Sequence, residues 1–164
     1  MNSFSIRLEI EESIKRFQIN REKFFEVRKD QWKEIINNIE NRFLVKAHYT
    51  HGLHWGWNKL KEPKLSMRFI DQPFQYIREI IEDDVFWFIV EDINDKMWAY
   101  EGEKDLIFEL IPELCHLNEY YLVSKKYQWL ICEDHHEIVH LNGQEVIEQM
   151  KSYAQNNKDK IFSE

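Results

Sequence analysis

Glycine and proline are scarce in this chain, four and three among 164 residues. So few of either argue against a glycine-rich phosphate loop, an interdomain linker or a disordered tail. Cysteine is scarcer still. Cys115 and Cys132 sit in apolar contexts and read as free thiols serving as small hydrophobes, not as a disulfide framework. The longest near-continuous apolar run is the six residues of Val85–Val90, against the roughly 20 that a membrane span needs. The opening MNSFSIRLEIEES is charged throughout and lacks the apolar core of a signal peptide. These absences lead to the expectation of a cytoplasmic protein without a membrane partner. A broad basic face is missing too. The best cationic group is Lys59, Lys61, Lys64 and Arg68, too small for a nucleic-acid surface, where phosphate contacts dominate affinity.

What the chain does have is acid and aromatic rings. Twelve carboxylates between Glu79 and Glu113 face only Lys96 and Lys104, so that segment carries −10 while the whole chain carries −8. An acidic middle can steer a basic protein partner, although solvated turns and helix faces also account for it. Phe, Trp and Tyr number 11, 6 and 7. Each ring buries on the order of 150–250 Å², so a core fills quickly and some rings are left for a surface. The length fits one domain over residues 1–164.

Periodicity sets the expected elements. Ile6, Ile10, Ile14 and Phe17 share one helical face, and Trp32, Ile35, Ile36, Ile39 and Phe43 form a second, with Asp30 as its cap. Residues 44–72 read as a loop with at most one short strand. Pro73 opens a third helix. Strands follow over 85–91 and 96–101, then a helix over 104–114 that Pro112 should end early. Three more strands cover 119–124, 127–132 and 137–141, before a final helix after Asn142-Gly143. Hairpin-length connections predict an α+β fold: a mainly antiparallel sheet of about five strands, helices packed on one face, and two helices at the N-terminus.

Three segments could carry chemistry. His48, His51 and His54 recur every third residue and, joined by His135, could ligate a metal; His136 and His140 would add nitrogens. No H-E-x-x-H or cysteine pair accompanies them. Glu133-Asp134-His135-His136 joins carboxylates to imidazoles, the material of general base catalysis. Strand alternation would pair Asp134 with His136 on one face and Glu133 with His135 on the other. Trp55-Gly-Trp57 is either a turn pinned to the core or a stacking platform.

The segments EYYLVSKKYQWLICEDHHEIV, MWAYEG and HWGWNKLKE together resemble a bacterial domain family of unknown function, over most of the chain. More loosely, helices followed by a tryptophan-bearing sheet half are similar to immunity proteins of the SMI1/KNR4 type. That resemblance implies binding and neutralisation of a toxin, with no cofactor. The expected function is therefore a non-enzymatic protein-binding module, monomeric or homodimeric, with a basic protein as partner. Its contact residues would be Trp55, Trp57, Lys125, Lys126, Glu133, Asp134, His135 and His136. The alternative is a small metal-binding protein or metal-dependent hydrolase built on His48, His51, His54 and His135.

Overall fold

The computed structural model describes residues 5–46 and 52–162. Along the chain run α1 (Ile6–Arg16), β1 (Phe24–Glu26), α2 (Lys29–Phe43), β2 (Lys64–Arg68), α3 (Phe74–Ile80) and β3 (Val85–Asp92). They are followed by β4 (Lys96–Glu103), α4 (Lys104–Leu110), β5 (Tyr120–Ser124), β6 (Leu130–Glu133), β7 (Ile138–Asn142) and α5 (Gln144–Asn156). The strands form one sheet in the order β1-β4-β3-β5-β6-β7-β2, and neighbours are antiparallel throughout.

The α+β class and the antiparallel pairing hold, but the expected architecture needs three corrections. The sheet has seven strands among the described residues, not about five. The added strands are the edges. β1 is three residues long, too short to show a period, and β2 (KLSMR), which alternates exposed and half-buried residues, is the one short strand allowed within 44–72 but not counted among the five. The helices are not an N-terminal pair followed by a sheet. β1 separates α1 from α2 and pairs with β4, far along the chain. Nor do the helices lie on one face.

Two-sided cover follows from the strands themselves. β5 is buried at all five positions and β3 at five consecutive ones. A strand buried at successive residues has both of its faces covered. Phe86, Phe88, Val90, Tyr120, Leu122 and Ile131 pack under α1, α3, α4 and α5. The alternate residues Trp87, Ile89, Tyr121, Val123, Leu130 and Cys132 pack under Ile36, Ile39 and Phe43 of α2, with Leu53 and Leu60. Cys132 is buried and Cys115 exposed.

Glycine matters at two positions, at one for its backbone conformation and at the other for close packing. Gly143 turns β7 into α5 at φ +117, and a Cβ there would lie 2.6 Å from the Gln128 carbonyl oxygen. Gly56 lets the segment before β2 press on the sheet, since its Cβ would sit 3.2 Å from the Tyr121 hydroxyl.

Register places the ends of β3, β6 and β2 and the starts of β4, β5 and β7 at one end of the sheet. There Asp92 fastens α1 to β3. It accepts hydrogen bonds from the Ser5 hydroxyl (2.5 Å), the Ile6 N–H (3.1 Å) and the Trp98 indole (2.9 Å). Burial pushes this carboxyl up, but those bonds outweigh it and hold it below the ordinary carboxylate range. On the α2 face of the same end, residues 52–60 cross the sheet.

Candidate functional site at the sheet end

β3 and β5 carry bulky residues until they reach this end, where both turn acidic. Val90 pairs with Tyr120. One register step further, Glu91 and Glu119 therefore stand opposite each other, on the α2 face. Like charges directly opposed across two strands are destabilising, and both side chains are largely removed from water, at 15% and 5% exposure. Burial pushes the Glu91 carboxyl up, His54 draws it down and Glu119 pushes it up again, leaving it above the ordinary value.

The crossing segment supplies the counter-groups. Tyr121 pins it: its buried hydroxyl donates to the Leu53 carbonyl (3.0 Å) and accepts from the Trp57 N–H (3.2 Å). Between those two anchors, His54 points its Nδ1 at Glu91 in a close contact and lies 3.5 Å from an Asp95 carboxylate oxygen. The ligand atoms of His54, Glu91 and Asp95 all lie within 4.8 Å of one another. Trp57 donates its indole N–H to Glu119 at 2.8 Å, and His135 Nδ1 contacts the same Glu119 oxygen at 2.8 Å. An open cleft of about 420 Å³ leads to Glu91 and Glu119 and is lined also by Trp55, His135, Ile93 and His116. Trp55 stands 53% exposed at its mouth and stacks on His54 with ring centroids 4.8 Å apart.

The expected histidine cluster is thus partly assembled. His54 and His135 come to the two ends of one carboxylate pair, His54 on Glu91 and His135 on Glu119. His48 and His51 lie outside the described residues. His135 and His136 do not point apart as strand alternation would have them. Residues 134–137 are a turn, so the two rings lie 3.9 Å apart, and both present edges to Trp57 at 6.1 and 6.4 Å. Trp57 also stacks flat on His140, 5.0 Å away. Asp134 is buried beneath them. Its carboxylate accepts the His136 and Ile138 N–H groups (2.8 and 3.0 Å) and His140 Nε2 (2.9 Å). Burial pushes Asp134 up, and these bonds more than reverse it, leaving the carboxyl lowered.

The expected contact set is divided by the fold. Trp55, Trp57, Asp134, His135 and His136 share this end. Lys125 and Lys126 form the turn between β5 and β6 at the opposite end, with Lys125 held by Glu101 at 2.5 Å. Glu133 faces the other side of the sheet and accepts the Tyr120 hydroxyl at 2.5 Å.

Burial pushes Glu133 up to about 6, against the pull of the Tyr120 hydrogen bond. A carboxyl raised in the folded state contributes stability that is present below its unfolded value of 4.5 and is lost as pH rises through 6. Glu133→Gln removes that loss. The variant is expected to be more stable than the parent at pH 7.5 by about 1–2 kcal/mol, with the advantage gone at pH 4. Urea unfolding at both values checks this; an advantage that does not change with pH would refute it.

Residues 2–154, which span every strand and the whole of this site, match the model of a family of unknown function. The chain belongs to that family, DUF6756. No curated protein matches the sequence. The family resemblance expected from the sequence is correct in its coarse form, and it assigns no residue a role. Among the residues described above, the sequence reading overlooked Glu91, Glu119 and Asp95 as site groups. Glu91 and Glu119 had one legible signal: each is the first acid at the end of an otherwise apolar strand.

Proposed function

We propose that this DUF6756 member is a cation-binding protein whose site is His54, Glu91 and Asp95, with Glu119 and His135 behind them. The observation that carries the reading is the opposed pair Glu91 and Glu119. Two carboxylates buried side by side need positive charge nearby, and the nearest groups are imidazoles, not lysine or arginine. One imidazole with carboxylate oxygens suits a divalent ion such as the borderline Zn²⁺ or the harder Mn²⁺. The indole and His135 held on Glu119 are the kind of outer hydrogen bonds that orient metal ligands.

Titration calorimetry and native mass spectrometry of the full chain with Zn²⁺ and with Mn²⁺ test it. One ion per chain is expected, with affinity reduced at least about tenfold in Glu91→Gln or His54→Ala. A chain that takes up no ion, or a Glu91→Gln variant that binds as tightly as the parent, overturns the reading.

Trp55 favours a second reading, in which the cation belongs to a protein partner. An exposed indole beside two carboxylates can hold a lysine or arginine side chain by a cation–π contact and an ion pair. This is the cytoplasmic, immunity-like binding module in its most specific form, and the acidic stretch 79–113 would steer a basic partner to it. An arginine-rich peptide that binds the metal-free protein, and loses affinity in both Trp55→Ala and Glu91→Gln, supports it. Indifference to both substitutions removes it.

A further inference from the structure

β2 is an edge strand, and its residues alternate. Leu65 and Met67 turn inward while Lys64, Ser66 and Arg68 are exposed. Ser66 pairs with His140 across β2 and β7, so the two side chains share the α2 face of the sheet. The Ser66 hydroxyl oxygen lies 2.8 Å from His140 Nδ1. The other nitrogen of that ring, Nε2, lies 2.9 Å from Asp134 Oδ2.

The direction of these bonds is fixed by charge. Asp134 already accepts two backbone N–H groups, and its carboxyl is held below the ordinary range. An ionised carboxylate only accepts, so Nε2 must carry the ring proton. In the neutral ring Nδ1 is then a bare acceptor, and the bond to Ser66 runs from hydroxyl to ring. A serine donating to an imidazole that a buried carboxylate holds in one tautomer is an arrangement that activates a hydroxyl for attack. Trp57, stacked on the ring at 5.0 Å, covers His140 while Ser66 stays open to solvent.

The strand supplies an electrophile's other needs. The Phe162 N–H donates to the Arg68 carbonyl at 3.1 Å, which shows that the even residues of β2 turn their main-chain groups away from β7. Ser66 is one of them. Its N–H therefore points to the outer edge, where no strand lies beside it among the described residues, and can donate to an oxyanion. Lys64 and Arg68 lie roughly 7 Å to either side on the same face, a cationic setting for developing negative charge.

We propose that Ser66 is a nucleophile for carboxylic esters, with His140 as its general base and Asp134 as a positioning residue. Oγ attacks the ester carbonyl carbon, and the hydroxyl proton passes to His140 Nδ1. The bond to the alcohol oxygen breaks, the alcohol leaves with that proton, and Ser66 is acylated. Water then attacks the acyl group, its proton passing through the same nitrogen back to Oγ as the acid departs. The site shares only Trp57 with the cation site and does not depend on it.

4-Nitrophenyl acetate is a sufficient probe, followed by intact mass and peptide mapping of the full chain. One acetyl group is expected on the peptide containing Ser66, absent in Ser66→Ala, which alters an exposed side chain. Its formation should slow about 100-fold in His140→Gln. If His140→Gln fails to fold by circular dichroism, Asp134→Asn replaces it; the amide would donate to Nε2 and force the proton onto Nδ1, with the same slowing expected. A parent chain that carries no acetyl group on Ser66 and releases 4-nitrophenolate no faster than Ser66→Ala overturns the proposal. Acetylation of Ser66 at the parent rate in the folded ring variant does so too.

Discussion

Asp134→Ala is expected to cost the fold about 3–5 kcal/mol, more than an exposed turn residue should. Asp134 is 1% exposed, and its two oxygens satisfy three donors: the N–H groups of His136 and Ile138, and His140 Nε2. Alanine leaves all three without a partner at once. The two N–H groups close the β6–β7 turn, where Glu137 takes the left-handed conformation at φ +61, so the turn loses the bonds that offset its backbone strain. Asp134→Asn keeps an oxygen for the backbone donors and disturbs only the His140 bond. It should lose about 1–2 kcal/mol. Chemical denaturation of the pair separates the turn from the ring. If alanine and asparagine cost the same, the backbone bonds contribute nothing and water replaces them.

The same residue shows where sequence reasoning stopped. Glu133-Asp134-His135-His136 is recognisable as chemically dense, yet its geometry depends on whether it is strand or turn. A strand alternates its side chains; the turn instead brings His135 and His136 together over Trp57 and sends Glu133 to the opposite face. Continuous apolar runs such as VFWFIV and YYLV mark strands plainly, and five of the seven strands are legible from them. Those same runs also state that both faces are covered, because successive residues cannot all face one layer. The two edges carry no such run. Ser66 lies on one of them, and its partnership with His140 is a matter of register across 74 residues of chain. Glu91 and Glu119 become a pair only once β3 and β5 are aligned. Identity and periodicity are local, whereas this site is assembled by register.

Tyr121→Ala is expected to lose about 3–5 kcal/mol and, with it, cation binding. The ring is fully buried beneath the crossing segment, packed with Leu53 and Leu60 in the core of the α2 face. Alanine opens a cavity there and removes both hydrogen bonds that hold residues 53 and 57 to the sheet. Tyr121→Phe isolates the second effect. It keeps the packing but strands the Trp57 N–H and leaves the Leu53 carbonyl with only the Gly56 N–H as donor, at a cost of about 1–3 kcal/mol. His54 lies between those anchors, while Glu91 is fixed independently by its own strand. The phenylalanine variant should therefore remain folded yet bind Zn²⁺ more weakly, because one ligand has lost its hold and the others have not. Calorimetry beside urea unfolding reads both quantities. A Tyr121→Phe variant that is destabilised but keeps the parent affinity would show that His54 is not a ligand, leaving the carboxylates to hold the ion alone. One that keeps both would mean that Leu53 and Leu60 anchor the segment without the hydroxyl.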